Sequence, residues 1–143
     1  MKPQTNIYYV DDDEDDLTVF REAIAGFGHK PSLFLDGYDM LLHLENSDPK
    51  SDIVFVDLNM PTISGYDVIS AIRKSEKFSN VPIISYSTAN DSMSISLAQQ
   101  AGANFHLPKS NTYEGLKQSL GYVLNIDWAN YQPGDEGFVY AQP

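Results

Sequence analysis

Five short apolar runs, each followed by a stretch of helical spacing, constrain this 143-residue chain more than any other feature. The runs are Ile7–Val10, Ser32–Leu35, Ile53–Val56, Val81–Tyr86 and Phe105–Leu107. Most are continuous rather than alternating, as expected of strands buried on both faces of a parallel sheet. Between them lie helical patterns. Leu17, Phe20, Ile24 and Phe27 recur at helical intervals, with Gly28 as the expected stop. Tyr38, Leu41 and Leu42 predict a second, shorter helix, and Val68, Ile69 and Ile72 a third that opens near Ser64. Met93, Leu97 and Ala101 predict a fourth, ending near Gly102. Tyr113, Leu116, Leu120, Val123 and Leu124 predict a fifth, with Asn111 as cap and Glu114 completing a capping box.

Five β-α units in succession predict an α/β fold: one doubly wound parallel sheet with helices on both faces. Such sheets bind ligands beyond the carboxyl ends of their strands, where strand order reverses.

Composition narrows the chemistry. Twenty acidic residues stand against nine basic ones, a net charge of −11. That field repels phosphate backbones, so no direct nucleic-acid partner is expected. There are no cysteines, which removes disulfides, zinc–thiolate sites and thiol catalysis. No apolar run approaches the roughly 20 residues that span a bilayer, and no secretory leader pattern is present. A cytoplasmic protein without a membrane partner is the expectation.

The stretch "IYYVDDDEDD" sets six acids directly after the first strand. A solvated acidic turn is the simplest explanation, and acids in a first helical turn also favour the helix dipole. A bound cation is the other. The strand ends distinguish them. The first strand ends before Asp11 and Asp12, the third, "DIVFVD", at Asp57, the fourth, "VPIISYS", at Ser87 and the fifth, "NFHLPK", at Lys109. In a parallel sheet these ends share one edge. Each residue alone has a bland role: cap, turn hydroxyl or solvent-facing lysine. Together they offer hard oxygen ligands for a small cation such as Mg²⁺, a carboxylate nucleophile for a phosphoryl group, and donors that stabilise its charge.

The segments "YYVDDDEDD", "DIVFVDLNMPTISGYDV", "VPIISYSTA" and "AGANFHLPK" carry a resemblance to the receiver domain of two-component response regulators, running from about residue 6 to 125 and of the stand-alone, chemotaxis-receiver kind. The resemblance implies a flavodoxin-like sheet of strand order 2-1-3-4-5. It implies that Asp57 accepts a phosphoryl group from a sensor histidine kinase or phosphotransfer protein in a Mg²⁺-dependent reaction. Asp12 would ligate Mg²⁺ directly, Asp11 would help through water, and Asp57 and the Asn59 carbonyl would complete the set. Ser87 and Lys109 would contact the phosphoryl group, and Lys109 would pair with Asp57 beforehand. The face of the fourth helix, fifth strand and fifth helix would then repack and select an output protein, with a homodimer left open. The resemblance implies no enzyme turning over substrate.

Three positions depart from the pattern. Ser110 follows Lys109 where proline is usual, so that bond is either trans or a cis bond costing about 2.5–4 kcal/mol. His106 takes the aromatic switch position; it is read either as a ring able to rotate or as a partly exposed histidine on an edge strand. Thr88 brings a methyl group that narrows access to Asp57.

Residues 1–125 are expected to form the receiver domain, and 126–143 an aromatic-bearing tail with no output domain. The tail contains Pro133, Gly134 and Gly137, yet carries Trp128, Tyr131, Phe138 and Tyr140, too many rings for a typical disordered end. Packing of some rings onto the domain is expected, Trp128 near the fifth helix foremost; a frayed end is the alternative. A haloacid-dehalogenase-like phosphatase is disfavoured because Asn59 stands where its acid/base Asp would be. A calcium loop is disfavoured because Asp16 stands where the turn needs Gly, and a phosphate-binding Gly-rich loop because acids follow the first strand. A receiver-like interaction module that never takes phosphate is the remaining alternative.

Overall fold

Ten elements alternate along the chain in the computed structural model, which describes residues 6–50, 52–131 and 137–141. They are β1 (Asn6–Val10), α1 (Glu14–Ala25), β2 (Ser32–Phe34), α2 (Gly37–Glu45), β3 (Asp52–Asp57), α3 (Gly65–Lys74), β4 (Ile83–Ser87), α4 (Ser92–Ala101), β5 (Phe105–Pro108) and α5 (Tyr113–Leu124). The strands form one parallel sheet in the order β2-β1-β3-β4-β5, the expected 2-1-3-4-5.

Side chains alternate across each strand and so feed two cores. Ile7, Tyr9, Ile53, Phe55, Ile84, Tyr86, Phe105 and Leu107 meet Leu17, Phe20 and Ile24 of α1 and Leu116, Leu120 and Val123 of α5. Tyr8, Val10, Val54, Val56 and Ile83 meet Met40 and Leu44 of α2, Val68, Ile69 and Ile72 of α3, and Ala98 of α4. At about 1.5–3 kcal/mol for each large apolar side chain removed from water, two such layers fix which face every strand turns to which helix. Register then levels the strand ends. Val10 stands beside Phe34 and Val56, Asp57 beside Tyr86, and Ser87 beside Pro108.

Two helices bury a different stripe from the one predicted. In α2 the buried residues are Met40 and Leu44, one turn apart, while Tyr38 and Leu42 are more than half exposed. In α4 only Ala98 is buried, and Met93 and Leu97 face outward. Both helices carry apolar residues on two sides, so spacing alone does not say which side meets the sheet. Helix α1 stops at Gly26, and Gly28 takes its positive φ of 82° two residues later. Thr112, not Asn111, caps α5, accepting from the Gly115 amide at 3.0 Å. Strand β4 opens at Ile83 rather than Val81, and Leu35 lies outside β2.

Beyond α5, the Trp128 indole donates to the Val123 carbonyl at 3.1 Å and packs on the α1/α5 core. Residues 137–141 run beside β5, with a parallel bridge from His106 to Val139. Pro133 and Gly134 lie outside the described residues. Among the described residues no helix is long and apolar enough to cross a membrane.

Candidate functional site

Three carboxylates meet where β1 and β3 end. Asp11, Asp12 and Asp57 each place an oxygen within 4.8 Å of the other two. Asp11 and Asp57 are buried and Asp12 is exposed. The six-acid run divides by role. Asp13 is the N-cap of α1, its carboxylate accepting from the amides of Asp15 and Asp16, and Glu14, Asp15 and Asp16 fill the first turn, where the helix dipole favours them. Asp11 is fully engaged: Oδ1 accepts from the Asp13 amide at 3.0 Å, and Oδ2 accepts from the Tyr9 hydroxyl and from Lys109.

Lys109 enters from the end of β5. Its main-chain amide donates to the Ser87 carbonyl at 2.9 Å, tying β5 to β4 at the site. Its Nζ donates to Asp11 at 2.8 Å and to Asp16 at 2.7 Å, and stands 3.6 Å from Asp57 Oδ1. The ammonium also lies over the Tyr86 ring, 5.3 Å from its centre. No described peptide bond is cis, so Lys109–Ser110 is trans.

Electrostatics follow from this crowding. Burial, then the neighbouring Asp11, pushes the Asp57 carboxyl up to about 7, against the pull of Lys109. Burial opposes the charge on Lys109, but the hydrogen bonds that it donates to Asp11 and Asp16 prevail and hold its pKa above the ordinary lysine value. The Tyr9 hydroxyl is held protonated, first by burial and then by Asp11. Among the described residues, the excess negative charge of the cleft is thus met by the Lys109 ammonium, shared among Asp11, Asp16 and Asp57.

Ser87 is buried, and its Oγ accepts from the Ala89 amide at 3.0 Å. Thr88 and Asn59 are exposed on the loops that follow β4 and β3. His106 is wholly buried, where a partly exposed edge histidine was one of two expectations. Its Nδ1 pairs with Ser85 Oγ at 2.7 Å and its Nε2 with Asn90 Oδ1 at 2.8 Å. Burial lowers its pKa to about 4, so the ring is neutral at physiological pH.

Spacing missed Asp16, Tyr9 and Tyr86. Asp16 was absorbed into the helix-dipole explanation. Its position in the first turn of a helix that starts at the sheet edge is the available signal. Tyr9 and Tyr86 read as core aromatics, and nothing in the sequence marks the hydroxyl of Tyr9 as aimed at Asp11.

The donor set fits a hard divalent cation. Three carboxylates converge, and the protonation of Asp57 is perturbed as expected when the positive charge is short.

Comparison with known proteins agrees with this geometry. The family model of the response regulator receiver domain matches residues 7–121. The chain is 28% identical over 120 residues to the chemotaxis protein CheY1 of Helicobacter pylori, covering 82% of this chain and 95% of that one. It is 30% identical over 107 residues to the CAI-1 autoinducer sensor kinase/phosphatase CqsS of Vibrio cholerae, covering 74% of this chain but only 15% of the kinase. Among solved structures, the chemotaxis response regulator CheY4 of Vibrio cholerae superposes with a TM-score of 0.75 at 21% identity, over 85% of this chain and 99% of that one. The Mn(2+)-bound form of response regulator Rcp1 superposes with a TM-score of 0.73 at 19% identity, over 92% and 99%. The chain belongs to the response regulator receiver domain family. It is a receiver of phosphorelay signalling, and the acidic pocket of Asp11, Asp12 and Asp57 fits the phosphorylation site of such a domain.

Proposed function

We propose that Asp57 is the phosphoacceptor of this receiver, which works as a cytoplasmic signalling switch rather than as an enzyme turning over substrate. The observation that carries this is the convergence of Asp11, Asp12 and Asp57 within 4.8 Å, with the Lys109 ammonium 3.6 Å from Asp57. An Asp57 carboxylate oxygen attacks the phosphorus of a phosphohistidine donor. The P–O bond forms as the P–N bond breaks, and the electron pair leaves with the imidazole. Lys109 and the Ser87 hydroxyl supply donors where phosphoryl oxygens would lie.

Asp12 and Asp57, with the Asn59 carbonyl, are assigned to hold Mg²⁺ directly. Asp11 is assigned an indirect role through water, because both its oxygens already accept hydrogen bonds. When bound, the cation supplies positive charge that keeps Asp57 ionised and offsets the incoming phosphoryl charge. Exposed Thr88 is assigned to the approach route, and His106 to the response of the β4–α4 loop.

The donor is a sensor histidine kinase or phosphotransfer protein, which accords with kinases among the relatives. The output is an unidentified protein bound on the α4–β5–α5 face, where Met93, Leu97 and Tyr122 are exposed. Residues 1–125 form the receiver and 126–143 an appended tail. The test is incubation with acetyl phosphate and Mg²⁺. A labile mass gain absent from Asp57→Asn is expected. No gain would favour a module independent of phosphorylation, and sustained phosphoester turnover an enzyme.

A further inference from the structure

Strand β5 is the last strand of the sheet, yet its edge is not open. The His106 amide donates to the Phe138 carbonyl at 2.7 Å, and the Tyr140 amide donates to the His106 carbonyl at 2.9 Å. Residues 137–141 thus lie along the β5 edge, joined to it by an isolated parallel bridge between Val139 and His106, and among the described residues both backbone bonds fall on His106. Its two rings straddle the sheet. Phe138 packs against the α2–α4 core, and Tyr140 against the α1/α5 core, edge-on to Tyr122 at 5.2 Å. The segment therefore covers the middle of the face on which the output partner is placed above. An edge so covered is closed to any other strand.

The residue that anchors this strap is also bonded to the phosphorylation loop. Asn90 Nδ2 donates to the Thr88 carbonyl at 3.1 Å, which leaves Asn90 Oδ1 as the acceptor facing His106. The imidazole therefore donates from Nε2 and accepts the Ser85 hydroxyl at Nδ1. One bond further along the chain, the Ala89 amide is held by Ser87 Oγ. A continuous path runs from the Ser87 hydroxyl through Asn90 to the His106 ring, and through the His106 backbone to Phe138 and Tyr140.

We propose that residues 137–141 are a detachable strap on the β5 edge, released when phosphorylation draws the Ser87–Asn90 loop toward Asp57 and breaks the Asn90–His106 bond. The released edge accepts an extended segment of the output protein in the same parallel register, with rings spaced like Phe138 and Tyr140. The strap is suited to this. Among the described residues, two backbone bonds and two partly buried rings hold it, less than holds β1, β3 or β4, which pair on both sides. The proposal rests on the phosphoacceptor reading of Asp57.

The test is amide hydrogen exchange of the full chain followed by NMR, with acetyl phosphate and Mg²⁺ and with mass spectrometry alongside. In phosphorylated protein the Tyr140 amide should exchange about tenfold faster or more, while the Phe55 amide in the central strand is unchanged. Asn90→Ala, an exposed position, should speed Tyr140 exchange without any phosphodonor. A mass gain with unchanged Tyr140 exchange overturns the strap and leaves the phosphoacceptor standing. Absence of a mass gain overturns both. Unchanged Tyr140 exchange in Asn90→Ala overturns the path through His106. Tyr140→Pro, which deletes the donor, should slow nothing at Tyr122 and open the His106 amide to exchange. A His106 amide still protected in that variant also overturns the strap.

Discussion

Gly65 backs onto the main chain of Asp57 so closely that a Cβ would overlap the Asp57 carbonyl oxygen and stand 2.6 Å from the Leu58 Cα. The Gly65 amide also donates to the Leu58 carbonyl at 3.0 Å, which pins the loop after β3 beneath the site. The glycine eight residues after Asp57 is therefore required by contact with backbone, which cannot swing aside as a side chain can. Gly65→Ala should cost about 1–3 kcal/mol of stability, the typical range for overpacking that forces the backbone to shift. Urea unfolding would measure it. Phosphorylation by a small donor should fall as well, because the displaced atoms belong to Asp57 itself.

Lys109 is held by Asp16 at 2.7 Å and by Asp11 at 2.8 Å, both closer than Asp57 at 3.6 Å. Asp16 is thus a competitor for the Lys109 ammonium. Asp16→Asn removes that competition at a partly exposed position, so the stability change should stay within about 1 kcal/mol. The ammonium should then settle nearer Asp57 and lower its pKa from about 7. Carbon-detected NMR titration of the Asp57 carboxyl is the direct measurement. A pKa that stays the same or rises in Asp16→Asn would show that Asp16 does not restrain the lysine.

The strands were legible because short continuous apolar runs such as "DIVFVD", alternating with helical spacing, suit strands covered on both faces, whereas their order came only from the resemblance to receiver domains. The convergence of Asp11, Asp12, Asp57 and Lys109 followed once those ends were placed on one edge. Long-range choices between equivalent local patterns were not legible. Helix α2 offers Tyr38 and Leu42 on one side and Met40 and Leu44 on the other, and only the sheet decides between them. Asp16 carries the same charge as its neighbours, and its distinction is its 2.7 Å contact with a residue 93 positions away. The strap was hidden for the same reason. "FVY" is too short to announce a strand, and its partner is a single residue of β5.

Divalent cation should stabilise the protein, and more so at higher pH. The folded, metal-free Asp57 holds a proton up to about 7, above the ordinary carboxylate value of 3.8. Below that pH a cation must displace the proton, so affinity should climb as pH rises toward 7 and level off above it. At Mg²⁺ one hundredfold above its Kd the gain is about 2.7 kcal/mol. Calorimetric melting at pH 6 and pH 8, with Mg²⁺ and after chelation, would read it. A melting shift that is equal at both pH values, or retained in full by Asp12→Asn, would contradict this assignment of ligands.

His106 gives a second pH dependence of known sign. Its pKa is about 4 in the folded chain, against 6.5 for an unburied imidazole, because burial between Ser85 and Asn90 disfavours the cation. The unfolded chain therefore takes up this proton first as pH falls. The stability associated with neutral His106 is complete above about 6.5 and is lost progressively as pH falls to about 4. Below that both states are protonated, and no further loss comes from this group. The full span is at most about 3 kcal/mol, at 1.36 kcal/mol for each pH unit of the interval. Carboxylates titrate at the acidic end of the same window, so the contribution is read as a difference. His106→Gln keeps a polar side chain facing Ser85 and Asn90 without a titrating ring. The wild type should lose more stability than this variant between pH 6.5 and 4, and the two slopes should agree above 6.5. Imidazole C–H resonances of the folded wild type should titrate near 4. A His106 midpoint near 6.5 would mean that the ring is free to charge within the fold.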